Sequence, residues 1–254
     1  MGIRLLNRTT RSVSPTPAGT RLLETLGPAI ADIDATLAAL AGLRDEPAGT
    51  VRISASRHAA DSVLWPALVP VLKRYPDVKL ELALDSRFTD IVAEDYDAGV
   101  RLGEALARDM VAVRIGPDLR MAAVASPSYV AEHGLPKSPR DLAAHRCINL
   151  RFRTRGGLYV WELEKGGREV NVRVDGQLTF DDVGMVRQAA LDGFGLAFVM
   201  LDAVAADLEK GTLVRALADW CPPFGGSHLY YPSSRQPSAA FKLIVEALRV
   251  NVRK

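Results

Sequence analysis

The apolar residues of this chain follow two rhythms. Between residues 16 and 43 they recur at alternating spacings of three and four (Leu23, Leu26, Ile30, Ile33, Leu37, Leu40), with Thr20, Arg21, Glu24, Asp32 and Asp34 off the stripe. That alternation is the seam of a helix packing on a partner helix. Thr16 followed by Pro17 supplies an N-cap and a first-turn proline. Gly27-Pro28 should bend the helix or weaken its early turns. At ~1.5 Å per residue, Thr16–Leu43 is ~40 Å long, more than one ordinary domain buries. A dimer-forming connector fits this better than a surface helix lying along its own domain.

Residues 44–50, Arg-Asp-Glu-Pro-Ala-Gly-Thr, break the pattern and read as a hinge. From Val51 short apolar runs alternate with amphipathic stretches, the mark of an α/β fold with a mostly parallel sheet. Strands are expected at Val51–Ser56, Lys79–Leu84, Tyr96–Leu102, Met121–Ser126, Arg146–Arg153, Leu196–Val199, Leu213–Leu217 and Ser227–Tyr231. Tyr159–Leu163 and Glu169–Val174 read as an antiparallel pair joined through Lys165-Gly-Gly-Arg. Helices are expected at Ser62–Tyr75, Phe88–Glu94, Pro139–Ala144, Asp181–Asp192 and Ala239–Val250, with another starting at Pro127.

Charge sharpens one end of this picture. The chain of 254 residues carries a net +2, yet residues 1–25 hold Arg4, Arg8, Arg11 and Arg21 against Glu24 alone. A basic head on a nearly neutral body implies a polyanionic partner at that end. Cys147 and Cys221 stand far apart with neither a CxxC nor a histidine at ligand spacing, so a disulfide framework and a metal site are unsupported. A redox-sensing pair is the alternative. No run of about 18 apolar residues exists to span a membrane, and the N-terminus lacks the apolar core of a secretory signal. A cytoplasmic protein is expected. No Gly-x-Ser-x-Gly, His-Glu-x-x-His or phosphate-cradling glycine loop is present, so neither an enzyme nor a cofactor is expected.

Within the basic head, Ile3 and Leu5 suit one short strand and Val13 a second, with Asn7–Arg11 as the turn between them. Arginines and small hydroxyls at such a tip suit phosphate oxygens. Asn7-Arg-Thr-Thr-Arg, then Thr16-Pro-Ala-Gly, then the heptad helix, together resemble the LysR-type transcriptional regulators. So do Tyr75-Pro-Asp-Val, Gly99-Val-Arg-Leu-Gly, Ala125-Ser-Pro-Ser-Tyr, Gly193-Phe-Gly and Leu229-Tyr-Tyr-Pro-Ser-Ser-Arg-Gln. The resemblance covers effectively the whole chain.

It implies a two-lobed, periplasmic-binding-protein-like effector domain preceded by a winged helix-turn-helix remnant and a long linker helix. Residues 1–15 would be the wing, 16–44 the dimerisation linker, 45–50 the hinge and 51–254 the effector-binding domain. Lobe I would comprise 51–120 and 227–254, and lobe II 121–226, with crossings at Met121–Ser126 and Ser227–Tyr231. Arg8, Thr9, Thr10 and Arg11 would contact DNA phosphate. The base-reading helix of the family would precede Gly2, so DNA binding by this chain is expected to be weak or absent. A homodimer or homotetramer is implied. The alternative is a cytoplasmic solute-binding protein that has lost DNA recognition.

A small-molecule effector would sit where strand ends and helix N-termini of both lobes converge. Ser56, Arg57 and His58 end the first strand of lobe I; Arg57 and His58 either pair with an acid or solvate a loop. Ser86 and Arg87 follow the second strand. Arg101 ends another, unless Asp95 or Asp97 holds it in an internal ion pair. In lobe II, Arg151 and Phe152 lie on opposite faces of one strand, Asp181 opens a helix as a cap or a ligand contact, and Phe198 is pocket wall or core. The arginines and the helix N-terminus favour an anion.

Overall fold

The computed structural model describes residues 3–8, 13–41, 47–84, 91, 93–103, 109–151, 157–234 and 236–250. The chain opens with an antiparallel hairpin, β1 (Leu6–Arg8) and β2 (Val13–Pro15), in which Asn7 faces Ser14. Asn7 and Arg8 therefore belong to a strand and not to the turn. Leu5 is diverted instead: its carbonyl accepts the Thr16 N–H at 2.9 Å, tying the hairpin to the start of the helix.

That helix is α1 (Pro17–Ala41). Thr16 caps it, accepting the Gly19 N–H at 3.1 Å while its hydroxyl donates to the Arg4 carbonyl at 2.7 Å. It continues past Pro28 as one element. Pro28 cannot donate to the carbonyl one turn back, on Glu24, which is an exposed residue. Leu23, Leu26, Ile30 and Ile33 are between 43% and 58% exposed, so this part of the seam is not covered by the chain's own body.

Beyond the hinge, a five-stranded sheet has the order β4 (Val78–Leu84), β3 (Gly49–Ala55), β5 (Ala98–Leu102), β15 (Ser227–Pro232), β6 (Met110–Arg114). β3 runs parallel to β4 and β5, whereas β15 is antiparallel to both of its neighbours. After β3 the chain forms α2 (Arg57–Ala59), a π-helical turn at Ala60–Leu64, and α3 (Trp65–Arg74). The π turn has a local cause. Pro66 brings no N–H to the ladder, and the preceding Trp65 N–H donates five residues back, to Ala60. α3 and the closing α7 (Ala239–Val250) cover the sheet, burying Ile53, Leu64, Leu68, Leu229, Ile244 and Leu248.

The second lobe is built on β7 (Leu119–Ala125), whose alanines and valine are buried on both faces. β12 (Ala197–Met200), β13 (Val214–Ala216) and β14 (Pro223–Phe224) all pair with β7, and all are antiparallel to it. The mostly parallel arrangement expected from sequence thus holds around β3 and fails here. β7 carries the chain out of the first lobe, and its partners run back toward it. Further elements are α4 (Pro127–His133), β8 (Asn149–Leu150), the hairpin β9 (Trp161–Lys165) and β10 (Arg168–Val172), β11 (Thr179–Phe180), α5 (Val183–Leu191) and α6 (Ala205–Glu209). Of the strand expected over Arg146–Arg153, the described residues 146–151 form β8 with single bridges at Cys147 and Arg151, and 152–153 lie outside the described residues. The helix expected at Phe88–Glu94 falls largely outside the described residues, and 93–95 form a turn ending in Asp95 at φ 57°.

Gly193-Phe-Gly leads α5 into β12. Gly193 (φ 83°) and Gly195 (φ 151°) both take conformations that side chains resist. A Cβ on Gly195 would overlap the Arg146 carbonyl oxygen, which already accepts the Leu196 N–H. Gly195→Ala should therefore cost about 3 kcal/mol, read as a lowered urea midpoint at unchanged slope.

Candidate functional site

Because β12 (Ala197–Met200) runs back toward the first lobe, its carboxyl end delivers Asp202, two residues on, to the carboxyl end of β3. There Ser56 caps α2, accepting the Ala59 N–H at 3.2 Å. His58, in the first turn of that helix, places Nε2 at 2.9 and 2.8 Å from the two carboxylate oxygens of Asp202. The partners lie 144 residues apart in sequence. This side-chain hydrogen bond joins the two lobes. Strand carboxyl ends facing a helix N-terminus form the usual ligand-binding edge of an α/β fold.

The pair is half-open, with side chains 21% and 41% exposed. The hydrogen bond from His58 holds the Asp202 carboxyl below its ordinary value of 3.8, against the opposing effect of burial, with help from the Ala203 N–H at 3.0 Å.

The other residues singled out by sequence divide. Arg57 points away, 71% exposed and 4.0 Å from Asp61 one turn on, a pair of little energetic consequence. Arg101 is half-buried, its guanidinium donating to the Ser54 carbonyl, the Ser54 hydroxyl and the Val100 carbonyl. Asp97, a candidate partner for Arg101, accepts the Arg52 N–H at 2.6 Å. Phe198 is only 3% exposed, stacked on Trp161 (centroids 4.9 Å apart) and beside Tyr159, so its contacts are those of core. The helix cap falls on Asp182, which accepts the Met185 N–H at 2.9 Å, and not on its neighbour Asp181. Arg151 is exposed, with its backbone bridged to Leu158. Thr9, Thr10, Arg11, Ser86, Arg87 and Phe152 lie outside the described residues, as does the side chain of Arg8.

Sequence reasoning overlooked Asp202. The available signal was its position two residues beyond a strand that leads back to the other lobe. It also overlooked Arg187 and Asp207, a bidentate pair at 2.6 and 2.7 Å that pins α5 to α6 within the second lobe. The cysteines are inert: both are buried, Cys147 is pushed up to about 12 by desolvation, and Cys221 is raised by the same cause. Among the described residues no three metal-ligating side chains converge, and no helix is long and apolar enough to cross a membrane.

Against known proteins, residues 44–253 match the LysR substrate binding domain. A putative transcriptional regulator of Pseudomonas aeruginosa is 53% identical over 247 residues, covering 97% of this chain and 81% of that protein. The HTH-type transcriptional regulator PgrR of Escherichia coli is 45% identical over 98% of this chain and 83% of its own length. Among solved structures, full-length AphB, a virulence activator of Vibrio cholerae, superposes with a TM-score of 0.70 at 25% identity, over 97% of this chain and 83% of that one. CrgA of Neisseria meningitidis gives 0.67 at 25%, over 97% and 84%. The fold is thus a LysR-type regulator fold with a two-lobed effector domain. The chain belongs to the LysR family of transcriptional regulators, whose members bind DNA and small-molecule effectors and oligomerise.

Since the carboxyl of Asp202 is depressed, its contribution to stability is complete above 3.8 and is lost as pH falls through the lowered value. Comparing the chain with Asp202→Ala by urea unfolding should show a stability gap at about pH 5 that closes on acidification below that value. A gap that widens toward acid would contradict the assignment.

Proposed function

We propose that the effector of this regulator is a small carboxylate, or another anion of that size, held between the carboxyl ends of β3 and β12. The observation that carries this reading is the placement of His58 and the Ser56-capped helix start at the edge of the first lobe, opposite an acid of the second. The site is one for sensing and not for catalysis: His58 is engaged by a carboxylate, and both thiols are held neutral. Ser86, Arg87, Arg101, Arg151 and Asp181 would surround the effector, with Arg101 acting through Ser54.

The hairpin at the chain's start would set Arg8, Thr9, Thr10 and Arg11 against DNA phosphate, fixing position without reading sequence. The domain plan that supports this is a wing at 1–15, a linker at 16–44, a hinge at 45–50 and the effector domain from 51. α1 would pair two copies, since its uncovered seam has the spacing of a coiled coil. A homodimer, or a homotetramer built from two such pairs, would work in the cytoplasm, where DNA and metabolites meet. Effector binding would shift the population of lobe arrangements and so the placement of the DNA-binding ends.

A thermal-shift screen of aromatic and aliphatic carboxylates against matched neutral amides tests the effector class. At ~100 times its dissociation constant a carboxylate adds ~2.7 kcal/mol of stability, and His58→Gln should abolish the shift. Stabilisation by the amides alone would refute an anionic effector.

A further inference from the structure

His58 and Asp202 do more than mark the edge of the cleft. We propose that the Nε2 edge of His58 is a carboxylate-binding position for which Asp202 and an incoming effector carboxylate compete, so that binding exchanges a lobe-to-lobe ion pair for a lobe-to-ligand one. This inference rests on the reading of the cleft as the effector site.

Three features support it. Both Asp202 oxygens lie within 2.9 Å of a single nitrogen, so the carboxylate sits face-on to one N–H and leaves the pair's geometry open to any carboxylate of similar size. The contact is partly open to solvent, with His58 21% and Asp202 41% exposed. A small acid can therefore approach without unfolding anything. The competing groups are also otherwise provided for. Arg57 and Asp61 pair with each other on the outer face of the helix, Ser56 is used as the cap, and Asp202 keeps the Ala203 N–H when it lets go of His58.

The energetics favour exchange over permanence. A half-exposed pair is exchanged at small cost, because water already competes for both partners. Replacing one carboxylate by another conserves charge and hydrogen bonds at His58, and the released Asp202 returns to solvent. What changes is connectivity: His58 and Asp202 belong to different lobes, and the effector belongs to neither. The swap converts ligand binding into a change in lobe spacing, since a ligand shifts an equilibrium only by its differential affinity for the two arrangements.

The test uses the full chain with nitroxide labels on Lys79→Cys and Lys210→Cys, one exposed site per lobe. Cys147 and Cys221 are buried and do not compete for label. Excess unlabelled chain keeps one labelled copy per oligomer, and pulsed electron resonance reads the distance. Acetate, the minimal carboxylate, is the probe, with chloride at equal ionic strength as control. Asp202→Ala and His58→Gln, acting from opposite lobes, should each move the main distance by more than about 2 Å, the scale of lobe rearrangement on binding. Asp202→Glu should stay near the parent. Acetate should move the parent toward the Asp202→Ala distance and leave Asp202→Ala itself unmoved. An unchanged distance in both variants, or variants that move while acetate leaves the parent fixed, overturns the proposal. A carboxylate that stabilises the chain without altering the distance overturns it while leaving the effector reading intact; labels that respond to acetate in a chain no carboxylate stabilises do the reverse.

Discussion

The constraint on which this structure depends is the place of β15. It lies between β5 and β6 in the first sheet, yet the chain reaches it only after completing the entire second lobe. The hydrophobic core of the first lobe thus includes Leu229, from a strand that follows the whole second lobe in sequence. Two crossings are the necessary consequence: one into β7, one out of β14. Two covalent connections restrict the lobes to a hinge-like motion, the kind that a ligand in the intervening cleft can bias. The same constraint explains the strand directions. A strand that leaves the first lobe needs partners that return to it, which is why β12, β13 and β14 all oppose β7. The return of β12 is what brings Asp202 to His58.

α1 answers to a different constraint. A helix of 25 residues with a stripe of leucine and isoleucine left half-exposed is not stabilised by its own domain. Its attachment to the hairpin is tight, through Thr16, Leu5 and the close approach of Gly19 to the Leu5 carbonyl. Hairpin and helix start are thus held together as one local unit.

Much of the fold was legible because its signals are local. Ala239–Val250 is the closing helix to the residue, and the Thr16 cap and its helix follow directly from a threonine, a proline and a heptad spacing. The edge strand β6 carried too short and too mixed a pattern to stand out, and the antiparallel pairing around β7 was hidden because strand direction is a property of the path between strands. At the site, sequence picked out His58 from its position after a strand, but not its partner, since 144 residues separate them and only the topology joins them. Asp181 and Asp182 differ by one position, and the cap went to the residue with the extended backbone needed to reach the Met185 N–H. Phe198 sits on the face of β12 that meets Trp161, a choice of face that a continuous apolar run does not specify.

The central claim is that a carboxylate binds at His58 between the lobes. A crystal structure of the chain with the most stabilising carboxylate addresses it most directly. The account predicts ligand oxygens within hydrogen-bond distance of His58 Nε2, with Asp202 displaced from that nitrogen. Ligand bound elsewhere, for example in the surface concavity beside Trp220, Arg140 and Arg168 with the His58–Asp202 pair intact, would contradict it.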